Sequence, residues 1–173
     1  MKRLILILAI ICYLIPSSAQ RAIDDYTFDT RHKNIYVEFL GSSFMAGIHF
    51  DMRFQKGRRD GLGFKFGIGG GTRPALLWIN TVRSIPFELN YVLGNEKASL
   101  LLGIGVADIK YTTGDLFLSE VEEHHLSGVT FHTAFRLQPM QNGFFFQMGL
   151  NFLPETEDFS FSPFGISIGY GFK

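Results

Sequence analysis

Apolar and polar side chains alternate along most of the chain beyond residue 33, and the alternation falls into eight separate blocks. In the second block, for example, Phe50 lies between His49 and Asp51. Successive side chains of a β-strand point to opposite faces, so a period of two predicts strands rather than helices. The predicted strands cover residues 34–42, 44–54, 62–71, 85–93, 98–111, 129–138, 144–152 and 164–172.

The two faces of these predicted strands differ in chemistry. One face carries large apolar side chains, whereas the other mixes glycine with charged and amide side chains. Each block is about as long as the roughly 9–11 residues that a tilted strand needs to cross a bilayer. Eight strands enclose a small interior, which can hold the glycine-rich face but not the bulky one. The pattern therefore predicts an all-β, eight-stranded antiparallel transmembrane up-and-down β-barrel over residues 34–173, and it disfavours a soluble lipocalin-like carrier.

The connecting segments predict an orientation in the membrane. Those after strands two, four and six are short, at residues 55–61, 94–97 and 139–143. Those after strands three, five and seven are longer, at residues 72–84, 112–126 and 153–163. Periplasmic turns of such barrels are short and outer loops long, so both termini are expected in the periplasm. The first outer connection, at Ser42 and Ser43, is unusually tight, and Pro86 is expected near an outer strand end, where a missing ladder donor costs less.

The N-terminus has the organisation of an export signal. Two basic residues precede an apolar run over residues 4–15, and small residues follow over 16–19. The run is shorter than the roughly 20 residues of a spanning helix. We therefore expect a cleaved signal peptide over residues 1–19 and a periplasmic lead-in over 20–33. The only cysteine, Cys12, lies in the removed segment, so no thiol chemistry is expected in the mature chain.

Charge and composition exclude one class of partner and support the membrane interpretation. The chain has 16 basic and 16 acidic residues, and removal of the signal takes two basic residues and no acidic ones. A mature charge near −2 provides no basic field for nucleic acid. The chain also has 19 Phe and 19 Gly, yet no run after the signal approaches 18 apolar residues. A membrane crossing must therefore use strands.

The signal segment, the eight blocks and the ending Gly169-Tyr170-Gly171-Phe172-Lys173 together resemble the small eight-stranded outer-membrane barrel proteins of the OmpA/OmpX type. The resemblance implies location in the cell outer membrane, among outer-membrane lipid and lipopolysaccharide. It also implies insertion by the outer-membrane assembly machinery, which reads a C-terminal aromatic residue in that family. Phe172 is the predicted assembly signal, although Lys173 follows it. We expect a monomer without a cofactor.

The inward face of the predicted barrel carries a balanced set of charges. Charges in a narrow space are stable only when they are paired and hydrogen-bonded, so we predict a structural polar network that plugs the lumen. We expect Glu38 to pair with one of the inward basic residues Arg53, Lys65 and Arg136. A thin pore lined by the same charges is the alternative. The predicted network comprises Glu38, His49, Asp51, Arg53, Lys65, Glu88, His132 and Arg136.

One outer segment, residues 115–125, combines residue types that can form a site. Imidazoles beside carboxylates can bind a divalent cation, and serine, histidine and aspartate together can support acyl transfer. Neither spacing matches a defined motif, so the segment is predicted to be an acidic solvated loop, with no catalytic, cofactor or metal residue. The candidate residues are Asp115, Ser119, Glu120, Glu122, Glu123, His124 and His125.

Two functions follow from these predictions. The first is a non-enzymatic outer-membrane barrel with a structural or surface-interaction role, which presents residues 75–81 and 116–125 to a partner that the sequence does not identify. The second is a lipid A-modifying enzyme that uses outer-loop residues. Outer-membrane palmitoyltransferases of eight strands hold the acyl chain in an apolar lumen, whereas the lumen predicted here is charged. The first function is therefore favoured.

Overall fold

The computed structural model describes residues 30–74, 78–94, 97–115, 121–139, 141–152 and 163–173. Each strand pairs antiparallel with the next, and β8 pairs with β1 to close an eight-stranded barrel. The predicted all-β barrel is thus confirmed, while the predicted signal peptide at residues 1–19 lies outside the described residues. The strands are β1 (Arg31–Leu40), β2 (Ala46–Lys56), β3 (Gly61–Pro74), β4 (Trp78–Leu93), β5 (Ala98–Asp115), β6 (Val121–Leu137), β7 (Gly143–Phe152) and β8 (Phe164–Phe172).

We call the two ends of the barrel the terminal end and the far end. The terminal end holds Arg31, Phe172 and the turns after β2, β4 and β6. Phe172, the predicted assembly signal, is the last residue of β8 and pairs with Lys33 of β1. The far end holds the 3-10 helix Gly41–Ser43 between β1 and β2, and the connections after β3, β5 and β7.

The strand register sorts the side chains into an inner and an outer set. Asp51 of β2 lies opposite Lys65 of β3, which lies opposite Glu88 of β4, and all three are buried. The next register row carries Phe66 opposite Phe87, and both rings are exposed. Because side chains alternate along each strand, one register choice fixes the face of every residue on it.

An apolar belt surrounds the barrel on its outer surface. Phe131, for example, is 54% exposed in the middle of its strand. Soluble monomers rarely expose contiguous apolar patches of this extent, whereas a barrel in lipid requires them. Among the described residues, no helix has the length and apolarity needed to span a bilayer. The belt includes Ile35, Ile48, Phe66, Leu89, Ile104, Phe131, Phe144 and Ile168.

Two segments predicted as long outer loops are largely strand, so those predictions were wrong. Within residues 72–84, Arg73 pairs with Asn80, and within 112–126, Thr113 pairs with Glu122. In the second segment Glu122 and His124 face inward while Glu123 and His125 face outward, so polar side chains lie on both faces and the alternation criterion does not detect the strand. Threonine and other β-branched residues nevertheless favour extended backbone. As a result β3 to β6 project from the far end as a sheet beyond the last β6–β7 pair, Phe131 with Phe152.

The chain between β1 and β2 reverses direction with a change of face that alternation did not predict. Leu40 and Phe44 both have positive φ, near 62° and 66°, and they flank the 3-10 helix. Alternation puts Phe44 on the same face as Phe50 and so predicts that it faces lipid, but it packs instead against the inward cluster of Val82, Ala107, Ile109 and Tyr111. Met45 and Leu40, predicted to face inward, are exposed. Two left-handed residues break the period of two, and regular β2 begins only at Ala46.

Pro86 lies in the interior of β4 rather than near its end, which corrects the prediction. The pairing of β3 with β4 runs through Phe66 and resumes at Gly69. The two intervening residues of β3 have no partner in this register, opposite Ile85 and Pro86. Proline has no N–H to donate to the ladder, which accounts for an interruption at this point.

Candidate functional site

The interior of the barrel is the most highly organised polar region of the described chain. All eight residues predicted to form the lumen network point inward, and none is more than 5% exposed. Six of them form a group around Asp51, nearer the terminal end, and a group around Glu88, nearer the far end. Glu38 and His49 instead contact the 3-10 helix Gly41–Ser43. The geometry therefore places every residue of the predicted set in the bore, in three sets of contacts.

Glycines opposite the large polar side chains make room for them. A Cβ added at Gly63 would lie 2.4 Å from the guanidinium carbon of Arg53, and one at Gly67 would lie 2.1 Å from Nδ1 of His49. A Cβ at Gly103 would lie 2.2 Å from Oε1 of Glu88. These distances are far below van der Waals contact, so the glycine-rich inner face is what lets so narrow a bore hold charged side chains.

Asp51 is the centre of the first group. Its carboxylate accepts hydrogen bonds from Asn34 Nδ2 at 3.0 Å and Asn90 Nδ2 at 3.0 Å. Arg53 Nη2 donates to Oδ2 at 2.5 Å, and Arg136 Nη1 lies 3.4 Å from Oδ1. Four donors from four strands thus converge on one carboxylate that is fully buried. Charge-assisted hydrogen bonds of this kind are what make a buried charge tolerable.

The group extends from Arg136 towards the terminal end. Arg136 Nε donates to Gln147 Oε1 at 2.8 Å, and its guanidinium lies 5.1 Å from the centre of the Phe145 ring. Gln138 Nε2 donates to Asn34 Oδ1 at 2.9 Å and lies 3.1 Å from Nε2 of His32. The polar contacts therefore continue across the bore down to residues near the terminal rim.

Glu88 is the centre of the second group. Lys65 Nζ lies 2.7 Å from its Oε2, and His132 Nδ1 lies 3.2 Å from its Oε1. Each carboxylate oxygen therefore has its own nitrogen partner, and all three side chains are buried. Lys65 and Glu88 form the ion pair of the second group.

Glu38 has partners other than the predicted ones. In the described part of the chain, none of Arg53, Lys65 and Arg136 lies within 4.0 Å of its carboxylate, so the expected direct ion pair does not form. Its Oε1 accepts hydrogen bonds from the backbone N–H and the hydroxyl of Ser42, both at 2.8 Å. The tight connection at Gly41–Ser43 has folded into the bore, where a short hydroxyl reaches the carboxylate before any long cation does.

The 3-10 helix Gly41–Ser43 closes the far end of the bore. Ser84 Oγ donates to the carbonyl of Ser42 at 2.8 Å, and Ser43 Oγ lies 2.6 Å from His49 Nε2. Neighbouring glycines leave the space: a Cβ at Gly47 would lie 2.4 Å from Ser43 Oγ. The sequence analysis did not predict that this helix closes the bore. The glycines at positions 41, 47, 69 and 165, beside two serines, could have indicated it.

Ser43, His49 and Glu38 have the composition of a nucleophilic triad but not its geometry. Both Ser43 Oγ and Glu38 Oε2 approach the same nitrogen, Nε2 of His49, at 2.6 Å and 3.9 Å. In a triad the acid must hold the opposite nitrogen to orient the ring. Ser43 is also completely inaccessible. The arrangement fits a structural contact and does not fit acyl transfer.

The described side chains of the predicted outer loop, residues 115–125, do not assemble into one site. His124 faces inward and stacks on Tyr111, with ring centres 4.7 Å apart, and lies 3.5 Å from Glu122. His125 faces outward and hydrogen-bonds Asp108. Ser119 and Glu120 lie outside the described residues. Within the described part of the chain, no three His, Cys, Asp or Glu side chains are placed to hold a metal ion.

An ion pair orders the turn after β2 at the terminal end. Arg58 Nε donates to Asp60 Oδ1 at 2.9 Å, and Nη2 donates to Oδ2 at 2.5 Å. Partial burial raises the pKa of Asp60, but the hydrogen bonds and charge of Arg58 lower it by more, so it lies below its usual value. The same hydrogen bonds raise the pKa of Arg58. The ion pair is bidentate, but it lies at the surface, where its contribution to stability is small.

Comparisons with known proteins agree with this architecture. No protein family matches the sequence, and no curated protein matches it significantly. The N-terminal β-barrel domain of Pseudomonas aeruginosa OprF is similar in structure, with a TM-score of 0.57 and 11% identity, over 82% of this chain and 96% of that one. Ail, the attachment invasion locus protein of Yersinia pestis, has a TM-score of 0.54 and 13% identity, over 82% and 97%. The chain has the fold of the small eight-stranded outer-membrane barrels, as the sequence resemblance implied.

Proposed function

We propose that this protein is a non-conducting barrel of the outer membrane that acts through its outer surface rather than through its lumen. The observation that carries the proposal is the continuous filling of the bore. At the terminal end, polar contacts run from Gln138 to Asp51 and Arg136. Arg136 lies over the Phe145 ring, which contacts Tyr36, and Tyr36 stacks on His49, which contacts Ser43 at the far end. Lys65, Glu88 and His132 are buried in the same bore. A conducting pore needs a water-filled path, and eight strands leave room for side chains alone.

The charge balance of the bore supports a structural role for the network. Within the network, the three carboxylates of Glu38, Asp51 and Glu88 balance three basic side chains, so apart from its histidines the network has no net charge to attract a permeating ion. Paired and hydrogen-bonded charges hold the strands in one register, because a shift of one residue would turn them outward into lipid. The network thus locks the barrel.

The outer surface offers the region suited to interaction. The projecting parts of β3 to β6 carry polar and charged side chains beyond the apolar belt, among them Arg83, Lys110 and Glu123. In the proposed orientation this sheet lies on the cell surface. The proposal also includes three expectations from the sequence: a cleaved signal peptide, contact with lipopolysaccharide, and insertion by the outer-membrane assembly machinery. A surface-exposed sheet on a rigid barrel can present one defined face to a partner.

A lipid A-modifying enzyme is the weaker candidate. Such an enzyme needs an accessible nucleophile and an apolar chamber for the acyl chain. Ser43, the described serine nearest a histidine, is buried, and the chamber beneath it is lined by charge. The described outer residues His124 and His125 face opposite sides of β6. These features favour the non-enzymatic function.

Two measurements test the proposal. In planar bilayers the purified protein should show no steady ion conductance, because paired side chains fill the bore; a stable open level would overturn the plugged lumen. An epitope inserted after Leu118 should be labelled on intact cells, and the matched insertion after Gln141 should be labelled only after permeabilisation. The reverse labelling would show that the proposed surface faces the periplasm.

A further inference from the structure

Two cations lie side by side on the outer surface of the projecting sheet. Arg83 of β4 pairs in register with Lys110 of β5, and both side chains are exposed. They stand just above the apolar belt, which on the same strands begins at Ile85 and Val106. This level of a membrane barrel faces the lipid headgroups.

The pairing of these cations is unfavourable in the protein alone. Like charges directly opposite each other on neighbouring strands destabilise a sheet. Within the described residues, neither Arg83 nor Lys110 forms a salt bridge or a side-chain hydrogen bond. The nearby carboxylate of Asp108 is hydrogen-bonded to His125 instead. An anion from outside the protein, bound between Arg83 and Lys110, would therefore relieve the repulsion between them.

A polar pocket and an apolar groove meet at this point. The pocket has a volume of about 760 Å³, and its lining includes Arg83, Lys110, Thr112 and Glu123. The groove, of about 650 Å³, runs below it over the belt. Arg83 lines both. A cation at the junction of a polar pocket and an apolar groove is well placed to bind an amphipathic anion.

The groove has an identifiable structural cause. It lies where the pairing of β3 with β4 is interrupted beside Pro86, and its lining includes Ile48, Ile68 and Ile85. Ala46 contributes a small side chain on the outer face. Missing cross-strand pairs and a small residue together leave a hollow in a belt that elsewhere carries large side chains.

We propose that this surface binds lipid A, with a phosphate on Arg83 and Lys110 and an acyl chain in the groove over Ile68. The polar pocket fits a phosphorylated sugar because it contains acceptors as well as cations. Asp108 and Glu123 would repel a second phosphate but can accept hydrogen bonds from sugar hydroxyls and amides. A glycerophospholipid offers few such donors. The placement of the site in the outer leaflet rests on the orientation given under the proposed function.

Native mass spectrometry of the protein in detergent micelles, titrated with lipid A, tests the site. The double variant Arg83→Gln/Lys110→Gln should bind about tenfold more weakly than wild type, because two phosphate contacts are lost. The matched control is Arg31→Gln/Lys56→Gln, which removes another facing cation pair at the terminal end. Its binding should match wild type. Equal losses in both variants would show charge attraction without a site and would overturn the proposal.

Two lipid probes and a groove variant separate the remaining alternatives. Lipid A stripped of its phosphates, and phosphatidylglycerol, should each bind at least about tenfold more weakly than lipid A; equal binding of either overturns the assignment. Ala46→Phe should fill the groove and weaken lipid A binding, whereas Val129→Phe on the belt outside it should not. Equal effects of the two would remove the groove from the site. Reversed epitope labelling would refute the proposed orientation even if the purified protein bound lipid A.

Discussion

Replacement of Asp51 by asparagine tests the idea that the lumen network stabilises the barrel. The side chain keeps its size, but it loses its charge and one of its two acceptor oxygens. If the amide nitrogen takes the place of Oδ2, its donors oppose those of Arg53 and Asn90. If it takes the place of Oδ1, they oppose those of Asn34 and Arg136. Two guanidinium groups, those of Arg53 and Arg136, would share the level without a carboxylate.

The expected cost follows from burial and contact number. Asp51 is fully buried and receives four donors. Removal of one partner from a buried ion pair costs about 3–5 kcal/mol, mostly because the remaining charge is left without compensation. We expect the loss for Asp51→Asn to fall in that range. Asp108→Asn is the matched control, because its half-exposed pair with His125 should contribute less than about 1 kcal/mol.

A double-mutant cycle sharpens the prediction. In Asp51→Asn/Arg53→Gln the lumen again carries equal numbers of acidic and basic residues, so part of the loss should be recovered. The second double variant, Asp51→Asn/Arg136→Gln, measures the coupling of Asp51 to Arg136. The coupling to Arg53 should be the larger, since the charged atoms are 2.5 Å apart in the first pair and 3.4 Å in the second. Arg136 also keeps its hydrogen bond to Gln147 when Asp51 is neutralised.

Urea unfolding in lipid vesicles, followed by the heat-modifiable migration of folded and unfolded protein on gels, measures these differences. Two results would refute the reasoning. One is an Asp51→Asn variant that stays within about 1 kcal/mol of wild type. The other is additivity of the single losses to within about 0.5 kcal/mol in both double variants, which would mean that the charges do not interact.

Two further predictions concern the lipid face and the turn after β2. Phe131→Arg and Ile166→Arg should each cost about 2–4 kcal/mol of unfolding free energy in bilayers, and wild-type stability in both would mean that the outward face is misassigned. The pKa of Asp60 is lowered in the folded protein. Its contribution to the free energy of unfolding is therefore fully present above the unfolded pKa of about 4, and it is lost as the pH falls through the folded pKa. Asp60→Asn should therefore be slightly less stable than wild type near neutral pH, and the difference in denaturant midpoint should vanish in acid; a constant difference would contradict the linkage.

The sequence predicted which side chains face the bore and which face lipid, because the face of a residue depends on its position within its own strand. Each strand within the belt meets lipid on one side and a narrow polar bore on the other, so its side chains must alternate in chemistry. His49, Asp51 and Arg53 were placed correctly on this basis, and so were Phe131 and Ile168 on the opposite face. Strand number and antiparallel order followed from counting blocks.

Strand ends and pairing partners required the tertiary structure. Beyond the membrane the outer face of a strand meets water instead of lipid, so large apolar side chains no longer mark that face while the hydrogen-bond ladder continues, as between Thr113 and Glu122. The position of Pro86 inside β4 was hidden for the same reason.

The lumen pairs depend on which strands lie across a closed bore, and sequence spacing carries no such distance. Asp51 meets Arg136, 85 positions away, only because the barrel closes. Glu38 meets Ser42 because two left-handed residues turn a short connection inward, into space that glycines on β2, β3 and β8 leave open. The sequence by itself determined which side chains enter the bore, because that depends on local alternation. Closure of the barrel decided their partners, because those contacts join residues far apart in the chain.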